Sequence, residues 1–144
     1  ENLDLNNIKS NFFGIKKQPV WGSKFFDELS KSKMGINFNR GGPIKYYSSD
    51  RISLLIANGL LTFLQRGYSY EDFFEDKSEA IFFNDHVELA DLIKFYSKDF
   101  NKRSLIASNG KIKYFQLFEN NIVSKYMIEK ILNLKISNKL SWMD

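Results

Sequence analysis

The sequence predicts an α/β fold in which a parallel sheet of short strands carries helices on both faces. Two apolar runs, Leu60-Leu61-Thr62-Phe63-Leu64 and Ala80-Ile81-Phe82-Phe83, are too short for helices. Such unbroken runs mark strands buried on both faces, as parallel strands are. Segments with helical spacing stand before, between and after them. That alternation, joined by right-handed crossovers, puts helices on both sides of the sheet. The length of 144 residues is about one domain, and a 43% hydrophobic content supplies its core.

Residues 1–24 read as an irregular lead-in. Phe25 to Lys33 is a short amphipathic helix with Phe25, Phe26 and Leu29 inward. Met34 to Asn39 alternates apolar with small or polar residues, a strand. Arg40-Gly41-Gly42-Pro43 breaks it, because two glycines and a proline cannot continue a ladder. The loop lasts to about Ser48. Ser49-Asp50 offers an N-cap, Ile52, Leu55 and Ile56 follow at helical spacing, and Gly59 stops that helix.

After the strand that ends at Leu64, Gly67 to Asp76 is an aromatic and acidic connection, followed by the strand Ala80 to Phe83. Asp85 opens the clearest helix, paired with Glu88 as a capping box ahead of the stripe Leu89, Leu92, Ile93 and Tyr96. A further helix starts at Asn101 or Lys102, with Asn109-Gly110 as its stop or weak point. Ile122 to Leu134 is the last, so that residues 120–144 form the terminal helix and tail of a single domain spanning 1–144.

Composition removes several classes. No cysteine is present, which excludes disulfides, thiol nucleophiles and Cys-based metal sites, and a single histidine, His86, excludes a His cluster. No apolar run reaches the roughly 18–20 residues that cross a bilayer; the expected location is the cytoplasm. The chain begins at Glu1 with no signal pattern and is expected to be a processed or excised piece of something longer. The net charge of +4 is less telling than its placement. Between Arg40 and Arg66 the one acid, Asp50, faces Arg40, Lys45, Arg51 and Arg66. A cluster this small suits a small anion better than nucleic acid, which calls for a dense basic face.

In open parallel sheets, ligands sit beyond the carboxyl ends of the strands, where loops lead into helices. The stretch from Asn39 to Arg51 lies there, with glycines, three cations (Arg40, Lys45, Arg51), the hydroxyls of Ser48 and Ser49, and a helix start. Those groups suit phosphate oxygens. The plainer reading is an ordinary Gly-Gly-Pro loop and an ordinary Ser49 or Asp50 cap, with Asp50 also able to hold Arg51.

From about Phe25 to Gly110 the order of features resembles the donor-binding, C-terminal Rossmann-like half of GT-B glycosyltransferases, within them the CgeB-like and other glycosyl transferase family 1-like domains. The carrying residues are Leu29 to Asn39, Ser49-Asp50-Arg51-Ile52, Ile56-Ala57-Asn58-Gly59-Leu60-Leu61, Glu79 to Phe83, Glu88-Leu89 and Ile106 to Gly110. The resemblance implies a nucleoside-diphosphate sugar as substrate, with Ser49 and Arg51 near the diphosphate and Asn58-Gly59 shaping the pocket. Asn39, Arg40, Lys45 and Asp50 complete the donor-binding candidates; no catalytic residue is named. It also implies a separate N-terminal acceptor-binding domain, without which this piece is expected not to turn over alone. No cofactor is expected, and no metal, since no Asp-x-Asp occurs. One departure stands out: Leu54 occupies the position where the family places a glutamate for the donor ribose, and Tyr46 that of an earlier glutamate. Leucine cannot hydrogen-bond a ribose, which leaves open a non-catalytic α/β interaction module as the alternative function.

Other residues carry less. His86 follows the cap Asp85 and has no triad pattern around it, so a solvated role fits better than a general base. Glu71, Asp72, Glu75 and Asp76 lack the spacing of a calcium loop and read as a solvated face. Tyr68, Tyr70, Phe73 and Phe74 read as core or interdomain packing before base stacking, while the resemblance keeps Arg66 and Tyr68 near the donor. The terminal helix, with Trp142 and Met143, is expected to pack across to the acceptor domain and, without it, to self-associate.

Overall fold

A computed structural model describes residues 8–13, 17–39, 41–47, 50–140 and 142. Three parallel strands, β1 (Met34–Asn37), β2 (Leu61–Gln65) and β3 (Ile81–Phe83), lie in the order β1-β2-β3. Met34 pairs with Leu61 and Phe63 with Ile81. Among the described residues the helices are α1 (Ser23–Lys31), α2 (Asp50–Ile56), α3 (His86–Lys98), α4 (Phe100–Phe118) and α5 (Asn120–Ile131), with a 3-10 turn at Tyr70–Asp72. The architecture is α/β, a parallel sheet flanked by helices.

Alternation of side chains along the strands divides the core in two. Leu61, Phe63, Ile81 and Phe83 face Leu89, Ile93 and Tyr96 of α3 and Ile106 and Ala107 of α4. Leu64 and Phe82 face the other way, onto Ile52 and Ile56 of α2 and the rings of Tyr68, Tyr70 and Phe74. The connection from β2 to β3 thus covers one sheet face with aromatics instead of an α-helix, and its rings are core. Among the described residues no helix is long and apolar enough to cross a membrane.

Helix α4 departs from expectation. It runs through Asn109 and Gly110 without stopping and crosses the amino-terminal edge of the sheet. Ile106 packs on one face, and Tyr114 and Phe118 pack on the other. Gly110 marks a close approach at the crossing: a Cβ there would overlap the Glu79 carbonyl oxygen. Asn109 Nδ2 donates to the neighbouring Ser78 carbonyl at 3.2 Å.

Other details are corrected. Phe26 points outward, because Phe25 and Leu29 share the inner face at a spacing of four and Phe26 lies about 100° round from Phe25. The acids after Tyr70 are not simply solvated. Asp76 and Glu71 pair with Arg66 at 2.6 and 3.1 Å, and Asp72 accepts from the Tyr46 hydroxyl at 2.6 Å. Trp142 folds back on its own chain, stacking on Phe118 and donating from Nε1 to the Leu117 carbonyl at 2.9 Å. Met143 lies outside the described residues. On α5, Met127 and Ile131 are exposed.

Asp85 caps α3 as its sequence predicts, accepting from the N–H groups of Val87 and Glu88 at 2.8 and 2.9 Å. These donors hold its carboxyl below the ordinary carboxylate range, the Glu88 N–H first. The return bond of the box goes one residue further back, from the Asn84 N–H to the Glu88 carboxylate at 2.7 Å. His86, next to the cap, is exposed.

Candidate functional site at the carboxyl end of the first strand

The backbone leaves β1 at Asn37 and reaches α2 at Asp50, so this connection lies at the carboxyl edge of the sheet. Three tyrosines shape it. Asn37, fully buried, donates from Nδ2 to Asn39 Oδ1 at 3.2 Å, and Asn39 Nδ2 donates to the Tyr70 hydroxyl at 2.9 Å. The Tyr70 hydroxyl donates in turn to the Tyr47 carbonyl. Burial pushes the Tyr70 phenol above its ordinary pKa, against the opposing effect of the Asn39 amide, so it stays protonated and able to donate. Tyr68 donates to the Gly41 carbonyl at 3.2 Å and accepts from the Tyr46 N–H through its own carbonyl at 2.9 Å. Tyr46 takes a positive φ of 60° and anchors its ring on Phe73.

The hydroxyls of Tyr68 and Tyr70 are thus spent on carbonyls of the loop and the Asn37 and Asn39 amides on Asn39 and Tyr70, while Lys45 and Arg51 are left exposed. Arg51 is exposed and donates from Nη1 to the Phe38 carbonyl at 2.8 Å, which ties the start of α2 to the end of β1. Lys45 is exposed, its Nζ 4.6 Å from the Tyr46 ring. Asp50 is exposed in the first turn of α2. Helix α2 has only seven residues and carries that acid at its start, so its dipole adds little and the side-chain cations carry the attraction for an anion. Arg40, Ser48 and Ser49 lie outside the described residues.

The remaining candidates separate. Asn58 and Gly59 close α2 at the opposite, amino-terminal edge of the sheet, about 10 Å of helix away from Arg51. Gly59 takes φ 76°, its N–H bonds the Ile56 carbonyl, and the next N–H, of Leu60, bonds the Leu55 carbonyl. That is a Schellman stop, which needs a left-handed residue there. Asn58 Nδ2 donates to the Leu54 carbonyl at 2.8 Å. Arg66 is on the correct edge, but its guanidinium is taken by Glu71 and Asp76. Tyr68 is buried and acts through its hydroxyl on the loop. Among the described residues no group of three or more His, Asp or Glu side chains gathers as a metal site.

The loop-supporting hydroxyls of Tyr68 and Tyr70 were not legible as such. Their signal was an aromatic cluster that places tyrosines, instead of phenylalanines, beside a Gly-Gly loop.

A parallel sheet flanked by helices, whose first strand opens at its carboxyl edge into a loop bearing the exposed cations Lys45 and Arg51, defines an α/β, Rossmann-like half domain. The family model described as glycosyl transferase-like matches residues 4–128, and the chain belongs to that family. No curated protein and no solved structure matches it.

Proposed function

We propose that this chain is the donor-binding unit of a glycosyltransferase, the C-terminal half of a GT-B enzyme of the CgeB-like group, and that it takes the diphosphate of a nucleoside-diphosphate sugar at the loop between β1 and α2. The observation that supports this most is the outward pair Lys45 and Arg51 on a loop whose backbone is tied down by Tyr46, Tyr68 and Tyr70. Arg40 and Ser49 belong to the same stretch of chain and join them in this reading, with Asp50 orienting its neighbours. Asn39 serves the loop by holding Tyr70, and Asn58 and Gly59 end α2 at the far edge.

In the reaction the acceptor oxygen bonds to the anomeric carbon while the bond from that carbon to the diphosphate oxygen breaks. The electron pair leaves on the nucleoside diphosphate. Lys45 and Arg51 offset the charge that builds there. The acceptor and the group that takes its proton come from a separate N-terminal domain, and the setting is cytoplasmic.

Titration of the chain with UDP, GDP and ADP tests this. One of them is expected to bind, and Arg51→Ala to weaken it by about 1.5–3 kcal/mol, the worth of a charge-assisted hydrogen bond. No binding by any of the three to the folded chain would favour the non-catalytic module for which Leu54 speaks.

A further inference from the structure

At the opposite edge of the sheet a second cleft opens between α1, the turn from α2 to β2, and the first half of α4. Its volume is about 670 Å³, within the usual range for small-molecule sites. Among the described residues no aspartate or glutamate lines it. Two cations do, Lys33 from the residue before β1 and Arg103 from α4. The Arg103 guanidinium is fixed in place, since Nη1 donates to the carbonyls of Tyr96 and Ser97 at 3.0 and 3.2 Å and the group lies 5.5 Å from the Phe100 ring. Its other nitrogens have no partner among the described residues, and neither has the Lys33 ammonium.

Hydroxyls accompany the charges. Ser104 and Ser108 stand one helical turn apart on α4 and line the cleft, and their hydroxyls make no hydrogen bond among the described residues. Asn58 spends Nδ2 on the Leu54 carbonyl and keeps its side-chain oxygen as an acceptor. Phe26 and Phe100 add exposed rings, 55% and 64% accessible, that the core does not use. A preorganised guanidinium and a lysine suit a phosphate. Hydroxyls, an amide oxygen and two aromatic surfaces suit a polyol carrying it.

The geometry points to this cleft as a binding site for a small phosphorylated polyol, its phosphate on Lys33 and Arg103 and its hydroxyls on Ser104, Ser108 and Asn58. The site is separate from the loop between β1 and α2 and does not depend on what that loop binds.

Titration of the full, isotope-labelled chain with glucose 6-phosphate, followed by amide shifts, tests it. The expected result is saturable shifts at Gly59, Ser104 and Ser108, with inorganic phosphate binding more weakly and glucose not at all. Arg103 also holds the end of α3, so the variants are Lys33→Ala and Ser108→Asp at exposed positions. Each is expected to weaken binding about tenfold, the loss of one charge-assisted contact or the gain of a repelling carboxylate. Shifts that do not saturate, that potassium chloride reproduces, or that fall on residues 41–51 instead would overturn the site. So would unchanged affinity in both folded variants. Inorganic phosphate binding as tightly as the sugar phosphate would overturn the polyol as its ligand.

Discussion

The Asn39 side-chain amide donates to the Tyr70 hydroxyl at 2.9 Å, and through that hydroxyl the two ends of the loop after β1 are joined, since Tyr70 also donates to the Tyr47 carbonyl. Tyr70→Phe keeps the buried ring and removes this junction. Leaving the Asn39 amide and the Tyr47 carbonyl without their partner is expected to cost about 1–3 kcal/mol in urea denaturation. Hydrogen exchange should quicken across residues 41–47 while β2 and β3 keep their protection. Equal exchange in both proteins would show that Tyr68 and Tyr46 hold the loop without it.

Gly110 sits under the Glu79 carbonyl, and Gly110→Ala separates packing from propensity. Alanine gains about 1 kcal/mol of helix propensity over glycine, but overpacking costs typically ~1–3 kcal/mol, and the obstacle here is backbone. A net loss of stability is expected, read from the urea midpoint. Gly42, where a Cβ meets nothing within 4 Å, is the control, and Gly42→Ala should leave the midpoint unchanged. A more stable Gly110→Ala would mean that α4 shifts away from Glu79 at little cost.

What could be read in the chain and what could not divides along the range of the interactions. The two apolar strands, the inward triad Ile52, Leu55 and Ile56, and the Asp85 cap are written within a few residues of themselves, and each stands where its pattern puts it. Gly110 misled because its reason is a carbonyl far upstream, and a glycine in a helical pattern ordinarily means a stop. The hydroxyls of Tyr68 and Tyr70 could not be assigned, since burial preference describes a ring and not where its oxygen reaches. The separation of Asn58 and Gly59 from Arg51 was open to deduction. A helix joining two parallel strands must start at one edge of the sheet and finish at the other, so residues that open and close α2 cannot share one small pocket.

Acid should loosen the start of α3 in a defined window. The N–H groups of Glu88 and Val87 lower the Asp85 pKa from its ordinary value of 3.8. A carboxylate with a depressed folded value contributes its full stabilisation above the ordinary value and loses it as pH falls through the lower one. Asp85→Asn keeps an oxygen for the two N–H groups and removes the titration. Its stability should therefore fall less steeply than that of the parent chain below about pH 4. Parallel acid limbs for the two proteins would assign the acid sensitivity elsewhere.

The tail after α5 is fastened at two points, and one of them titrates. Glu129 is buried on α5 and accepts from the Ser137 N–H at 3.0 Å. The Ser137 hydroxyl, followed by that N–H, holds its carboxyl below the ordinary carboxylate range. Five residues on, Trp142 stacks on Phe118, meets Tyr126 edge-on at 5.2 Å and donates to the Leu117 carbonyl. If the carboxylate anchors the tail, Glu129→Ala at neutral pH should shift the Trp142 emission to the red and raise its quenching by acrylamide. Trp21 is 81% exposed and would mask the change, so the measurement belongs in a Trp21→Phe background, where Trp142 is the one indole left. Lowering the pH of the Trp21→Phe protein with Glu129 intact should reproduce the shift. The anchor is intact above the ordinary carboxylate value and lost as pH falls through the depressed folded one. An emission maximum that stays put in Glu129→Ala would mean that the rings of Phe118 and Tyr126 hold the tail unaided, and the acid-induced shift should then be absent as well.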